Sequence, residues 1–196
     1  MDTFSAPKSL GSQSKSTHFL SLYIKRHLVR CLTVVCLTFA CFVAPVQAGW
    51  QTLLPDAQPL GAGEFRRFGF LIYDAKLLTQ TGRYSPDQPF ALQLVYARTI
   101  AKDRIVNASL DELQSLGFDV EANPQWRVAL EKVLVDVKEG DEITGVYLPG
   151  QGAVFFHNEQ RTGRLDLPLA QAFFSIWLDP KTSEPELRTA LIGKPQ

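Results

Sequence analysis

The sequence predicts an α+β fold, in which an open-faced antiparallel β-sheet carries a layer of helices packed on one face. Two observations lead to this class. Strand-like runs and helix-like runs come in separate groups along the chain rather than in strict alternation. Short turns join the strands within each group, whereas a parallel sheet needs a long crossover between paired strands. We therefore expect an antiparallel sheet with one face covered by helices.

The first strands are predicted in two apolar runs. The run Glu64–Leu78 follows a flexible Gly61-Ala62-Gly63 lead and is interpreted as one long strand, with Gly69 as the candidate position for a bend. Turn residues separate it from the run Phe90–Arg98, in which apolar side chains alternate in facing. We expect the two runs to pair as neighbouring strands. Arg98 falls on the same side of its run as the larger apolar side chains.

Two amphipathic helices are predicted next. The helix Asp103–Leu116 has apolar residues at helical spacing and ends at Gly117. A second helix begins at Pro124, with Asn123 as its cap. Each apolar stripe needs a surface to cover it, and the predicted sheet provides one.

A three-stranded meander and two more helices complete the chain. The strands are predicted at Glu142–Leu148, Ala153–His157 and Thr162–Leu167, joined by Gly-rich or Asn-containing turns. An apolar helix then ends at Asp179-Pro180, because proline removes a donor and restricts the residue before it. Ser183 and Glu186 are predicted to form the capping box of a last helix.

Residues 1–48 have the pattern of a secretory signal with a long polar n-region. An uncharged run, Cys31–Val43, precedes small residues that end at Ala48. Cleavage near Ala48-Gly49 would leave a domain of residues 49–196 in the periplasm or outside the cell. The run is short for a spanning helix of about 20 residues. Because the polar lead is so long, an uncleaved inner-membrane anchor stays open as the alternative.

The composition of residues 49–196 restricts their chemistry. All three cysteines of the chain lie in the N-terminal apolar run, so no thiol, disulfide or cysteine metal site is expected, and no cofactor. The 15 Lys and Arg against 19 Asp and Glu argue against a nucleic-acid partner. His157 is the one histidine, and no glycine-flanked serine accompanies it, which argues against a hydrolase triad. The oligomeric state stays open.

Four segments resemble the chalcone isomerase-like family, and in particular its bacterial secreted branch. In order they are GAGEFRRFGFLIYDAKLL, LQLVYARTIAKDRIVNAS, DEITGVYLPGQGAVFF and AFFSIWLDPKTSEPELR. The resemblance covers nearly all of residues 61–193, and its most specific part is the last segment. It implies an open-faced sheet with a layer of helices against it and a ligand cleft between them.

The resemblance also implies two alternative uses of that cleft. Plant members close a flavanone ring with an arginine and with a threonine and a tyrosine that position a water, whereas other members bind fatty acids through arginine and tyrosine. Here the arginine position falls at Phe65, with Arg66 one residue late. The threonine position falls at Phe68 and the tyrosine position near Lys102. We therefore assign no catalytic residue and do not expect competent isomerisation.

Four residues are candidates for ligand contacts. Arg66 would reach the cleft if a bulge restores its register, since a one-residue slip reverses the facing of a strand side chain. Tyr73 either points its hydroxyl into the cleft or belongs to the core. Arg98 either holds an anionic head group or pairs with Asp103. Trp177 either lines the cleft or packs in the core.

Three functions remain open at this point. We favour a non-catalytic binder of a small apolar acid or a lipid-like, fatty-acid-like molecule. The second is an isomerase of the chalcone isomerase type on another substrate. The third is an envelope interaction protein whose cleft is filled by its own phenylalanines (Phe65, Phe68, Phe70). An open cavity would separate the first two from the third.

Overall fold

The computed structural model describes residues 1, 3 and 49–193. The predicted signal sequence, its cleavage site and the alternative anchor lie outside these residues, apart from Met1, Thr3 and Gly49, so export remains a prediction. Residues 49–193 fall in one compact unit. In the described part of the chain, no helix combines the length and the apolar character that a membrane crossing requires.

Six strands form one antiparallel sheet, and each strand pairs with its neighbours in chain order. Because consecutive antiparallel strands need only short connections, this arrangement agrees with the short turns in the sequence. The predicted open antiparallel sheet is confirmed. Its strands are β1 (Gln58–Arg67), β2 (Phe70–Thr79), β3 (Phe90–Tyr96), β4 (Glu142–Leu148), β5 (Gly152–His157) and β6 (Gln160–Leu165).

Helices cover one face of this sheet, as the sequence predicts. Leu92 and Leu94 of β3 and Phe155 of β5 are buried in the same cluster as the apolar sides of the helices. Removing this apolar surface from water is the main stabilising contribution to such a layered fold. The helices are α1 (Lys102–Ser115), α2 (Gln125–Val133), α3 (Leu167–Leu178) and α4 (Pro185–Ile192).

The opposite face of the sheet is partly covered by the segment that precedes β1. Trp50 and Leu54 of this segment are buried against Leu78, Val146 and Phe156 of the sheet. The sheet is therefore open-faced with respect to helices, but a short N-terminal segment shields part of its second apolar surface.

The prediction of one long strand through Gly69 is wrong, because the chain reverses there. Arg67 pairs with Phe70, and the two residues between them form a tight hairpin turn. Phe68 has φ 51° and Gly69 has φ 82°, so both central residues are left-handed, as in a type I′ turn. A phenylalanine rarely adopts this conformation, which is why the sequence gives no turn signal here.

The predicted flexible lead is also wrong, since Gly61 and Gly63 lie inside β1. A Cβ at Gly63 would stand 2.9 Å from side-chain atoms of Ala190 and Leu187, and one at Gly61 would collide with the backbone oxygens of Ala190 and Leu191. Glycine at these positions allows α4 to lie directly on β1.

The two predicted N-terminal helix caps are absent. Ser183 donates to Glu112 at 2.9 Å instead of capping α4, whose first turn has no side-chain cap. Asn123 likewise makes no cap bond to α2. The predicted stop of α3 at Asp179-Pro180 is confirmed, with Asp179 extended at φ −68° and ψ 140°.

A candidate ligand cavity between sheet and helices

An apolar cavity of about 420 Å³ lies between the sheet and helices α1 and α3. This volume is in the range of small-molecule sites, which are mostly apolar with a few polar groups. The alternative in which Phe65, Phe68 and Phe70 fill the cleft is not met: Phe65 lines the open cavity, whereas Phe68 and Phe70 are 90% and 64% exposed and do not line it. The apolar walls include Leu92, Leu94, Ile143, Phe155, Phe173 and Phe174.

Two of the predicted site residues meet inside this cavity. Trp177 Nε1 donates to the Tyr73 hydroxyl oxygen at 2.9 Å, and both residues line the cavity wall. An indole can only donate, so the phenol oxygen is the acceptor in this bond. The hydroxyl hydrogen of Tyr73 finds no acceptor among residues 49–193. The structure therefore leaves Tyr73 as a hydrogen-bond donor beside apolar space.

Burial keeps that donor protonated. Desolvation raises the pKa of the Tyr73 hydroxyl far above its ordinary value, and the bond from Trp177 offsets this only in part. Desolvation likewise raises the pKa of Tyr96, which also lines the cavity and meets Tyr73 edge-on at 5.7 Å between ring centroids. Both phenols remain neutral at physiological pH, which suits hydrogen-bond donation and not general-base chemistry.

Charged side chains form the rim of the cavity, here defined as Arg67, Arg104, Asp111, Glu112 and Glu184. In the described part of the chain, neither arginine forms an ion pair. Burial, and next the nearby Glu112, raise the pKa of Glu184, against the opposing effect of Arg67. The rim thus offers two guanidinium groups to an anion, together with three carboxylates that oppose it.

The structure places Arg66 outside the cavity lining. Its guanidinium pairs with Glu64 at 2.7 Å on the exposed surface. The sheet does have a register irregularity at Phe65 and Arg66, with Ile72 of β2 as the additional residue. Because side chains alternate along a strand, Phe65 and Arg67 face the cavity together.

Arg98 also lies outside the cavity lining. Strand β3 ends at Tyr96, so the alternation of side chains between the two faces of the sheet does not continue to Arg98. Its guanidinium carbon lies 5.5 Å from the centre of the exposed Phe70 ring, and no ion pair with Asp103 forms among the described residues. The ligand roles of Arg66 and Arg98 remain predictions.

Sequence reasoning selected neither Tyr96 nor the residues of the charged rim. Tyr96 is on the side of β3 that faces the helices, and Arg67 is on the side of β1 opposite to Arg66. Both line the cavity, and the alternation of side chains along a strand could have identified them. Arg104 stands one turn before Ala108 and two turns before Glu112, and all three line the cavity. This spacing along one side of α1 is the signal that could have identified Arg104.

The two serine hydroxyls that line the cavity already have partners. Ser109 donates to the carbonyl oxygen of Ile105 and Ser183 to Glu112, both at 2.9 Å. At the positions where the family resemblance expects threonine and tyrosine, Phe68 stands exposed in the β1–β2 turn and Lys102 begins α1. Among the described residues, no group of three or more His, Asp or Glu side chains is arranged to hold a metal ion.

Comparisons with known proteins agree with this architecture. A solved fatty-acid binding protein of Arabidopsis thaliana superposes with a TM-score of 0.57 at 10% identity, covering 70% of this chain and 87% of that chain. At this identity the likeness shows the fold alone. No protein with a curated description matches the sequence. The family model described as chalcone isomerase-like matches residues 72–193, more than half of the 196-residue chain. The chain therefore belongs to the chalcone isomerase-like family.

Proposed function

We propose that this chain is a non-catalytic binding protein of the bacterial secreted branch of its family, and that its ligand is a small apolar acid. The observation that carries the proposal is the Tyr73 hydroxyl, a neutral donor without an acceptor among residues 49–193, which borders an apolar cavity of about 420 Å³. A ligand with one polar end and one apolar body would use both features.

The apolar body of the ligand would lie against the side chains of β3, β5 and α3. Each CH₂ group that leaves water for such a wall contributes about 0.8 kcal/mol. Leu94, Phe155 and Phe173 are nearly fully buried in the protein, so this wall is preformed. Binding would therefore require little reordering of side chains, which favours affinity.

The acidic end of the ligand would accept a hydrogen bond from Tyr73. Hydrogen bonds to an ionised group are shorter and stronger than neutral ones, so a carboxylate is the better match to an unpaired phenol donor. Arg67 and Arg104 on the rim would supply the opposite charge. Both are exposed and free of ion pairs among residues 49–193, so no existing pair has to break.

The state of the hydroxyls that line the cavity supports binding without turnover, because none of them is placed to act as a base. Ser109 and Ser183 donate to protein acceptors, and burial keeps Tyr73 and Tyr96 protonated. The solved Arabidopsis structure of the same fold is a fatty-acid binding protein, which supports the ligand class by analogy of fold.

The test is calorimetric titration of the purified protein with dodecanoate, and with dodecanol as the uncharged match. We expect dodecanoate to bind and dodecanol to bind more weakly. Tyr73→Phe should weaken dodecanoate binding about tenfold, since it removes one hydrogen bond to a charged group. Arg67→Gln should weaken dodecanoate and spare dodecanol.

Arg66→Gln and Arg98→Gln are the matched controls, because these arginines lie outside the cavity lining. We expect both to bind dodecanoate like the wild type. Loss of binding in these controls, with full affinity in Tyr73→Phe and Arg67→Gln, would contradict the proposed geometry. Turnover of a chalcone by the wild type would instead favour the isomerase alternative.

We also propose that the protein is periplasmic or secreted, on the basis of the signal-like pattern of residues 1–48. Fractionation of producing cells and N-terminal sequencing test this. Soluble protein that begins at Gly49 supports export with cleavage. Membrane-bound protein with an intact N-terminus would support the anchor instead.

A further inference from the structure

The turn between β1 and β2 exposes two phenylalanines beside three arginines. We call residues Arg66–Phe70 the tip. Phe68 and Phe70 are the two exposed aromatic side chains of the described residues, at 90% and 64% exposure. Arg66 and Arg67 belong to the tip, and Arg98 packs on it from the end of β3. We propose that the tip docks this protein onto the surface of an anionic lipid bilayer, an inference that does not depend on the proposed ligand.

The arginines at the tip keep most of their charge available. Arg67 and Arg98 contact aromatic rings, with guanidinium carbons 5.6 and 5.5 Å from the ring centres of Phe68 and Phe70. Neither forms an ion pair among residues 49–193, and only Arg66 is neutralised, by Glu64 at 2.7 Å. The tip therefore carries a local positive charge on a domain that has more acidic than basic residues overall. Anionic head groups attract such a site.

The phenylalanines suit the boundary between head groups and acyl chains. Interfacial elements combine apolar side chains that enter the bilayer with basic side chains that stay among the head groups. At the tip, each phenylalanine has a guanidinium group over its ring, so the two kinds of side chain are already side by side. Insertion of the rings would bring the arginines to the level of the phosphates.

The shape of the tip favours a bilayer over a protein partner. A two-residue turn is narrow and convex, whereas a stable protein interface covers about 800 Å² on each partner. A fluid bilayer deforms around a small projection and needs no matching pocket. A symmetric contact between two copies of the chain would place the arginines of one tip against those of the other, which repel.

The tip also adjoins the cavity. Arg67 belongs to the tip and to the rim, and Ile72, two residues after Phe70, lines the cavity wall. Docking through the tip would place the rim beside the bilayer surface. Apolar molecules that dissolve in the bilayer would then have a short route to the cavity.

The test places a tryptophan in the tip and measures quenching by brominated lipids. Phe68→Trp in the full chain, added to vesicles of brominated phosphatidylglycerol, should show a blue shift and strong quenching. Val128→Trp is the matched control, because Val128 is exposed at 50% on α2, away from the tip. The emission of the three native tryptophans is subtracted using the wild type, and the difference between positions 68 and 128 separates the tip from any membrane contact of the N-terminal segment.

Two further measurements test the role of charge and the possibility that the tip binds a second copy of the chain. Brominated phosphatidylcholine should quench Phe68→Trp about tenfold less, and adding Arg67→Gln and Arg98→Gln should reduce quenching by phosphatidylglycerol to the same degree. Equal quenching of the tryptophans at 68 and 128 would overturn the proposal. A blue shift that appears without lipid as protein concentration rises would also overturn it, because the tip would then bind a second copy.

Discussion

The two hairpins β1–β2 and β4–β5 belong to the same sheet, yet their turns differ in kind. The β4–β5 turn has Gly150 at φ 75°, and the described residues around it expose no large apolar side chain. The β1–β2 turn has Phe68 at φ 51° with its ring 90% exposed. A left-handed residue other than glycine costs about 1–2 kcal/mol, and burial of apolar surface offsets little of this cost for a ring that is so exposed. The β4–β5 turn is therefore suited to stable folding. The β1–β2 turn, we infer, is suited to an interaction.

The hairpins also differ in what lies against their strands. Gly61 and Gly63 let α4 lie on β1, while Gly145 of β4 lies against the ring of Phe174 at the cavity wall, 3.0 Å from where its Cβ would be. The β1–β2 hairpin is thus supported by a helix near its base and is free at its tip. This combination presents an exposed tip on a rigid support.

The largest expected effect is at the base of the β1–β2 hairpin. Gly61→Ala should lower the free energy of unfolding by about 3 kcal/mol, because the added methyl collides with the backbone of α4. Urea denaturation measures this, with Ala62→Ser as the control at an exposed neighbouring position. A variant as stable as the wild type would show that α4 does not approach β1 so closely.

The turn of the β4–β5 hairpin should respond to a backbone change alone. Gly150→Ala should lower the free energy of unfolding by about 1.5 kcal/mol, since its φ of 75° disfavours a side chain although the space around it is open. Thermal and urea unfolding would show the loss. An unchanged stability would mean that this turn tolerates another conformation.

The turn of the β1–β2 hairpin should respond in the opposite direction. Phe68→Asn should raise the free energy of unfolding by about 1 kcal/mol, because asparagine followed by Gly69 is a favoured type I′ pair. The same unfolding experiments apply. A decrease would indicate that the Phe68 ring stabilises the fold, and the contrast between the two turns would then disappear.

The smallest expected effect concerns the rim. Burial and Glu112 raise the pKa of Glu184, so its negative charge appears only at a higher pH than that of an ordinary glutamate. At neutral pH, Glu184→Gln should tighten dodecanoate binding about threefold by removing a like charge. As the pH falls through the raised pKa, the wild type loses that charge and should approach the variant. Titrations at several pH values check this, and a constant difference would contradict it.

Elements with local sequence signals were predictable, and elements that depend on pairing were not. Pro149-Gly150 indicated the β4–β5 turn, and helical spacing gave α1 to within one residue at each end. No local signal marked the β1–β2 turn, because Phe68 occupies a position where glycine or asparagine is usual.

The differences between the predicted and the observed cavity lining have the same cause, because they depend on strand pairing. Once the chain reverses at Gly69, the register between β1 and β2 decides which arginine faces the cavity, and Arg67 takes that place. Arg98 lies beyond β3 because Ile100 bridges to Val137 and redirects the chain there. Tyr73 and Trp177 could be selected from strand parity and helical spacing, whereas their mutual hydrogen bond depends on tertiary packing.

The most direct test of the proposed binding is a crystal structure of the protein with dodecanoate. We expect the carboxylate to accept a hydrogen bond from the Tyr73 hydroxyl, with its apolar chain between the sheet and helices α1 and α3. Dodecanoate bound elsewhere, with the cavity empty and the Tyr73 hydroxyl free of ligand, would contradict this account.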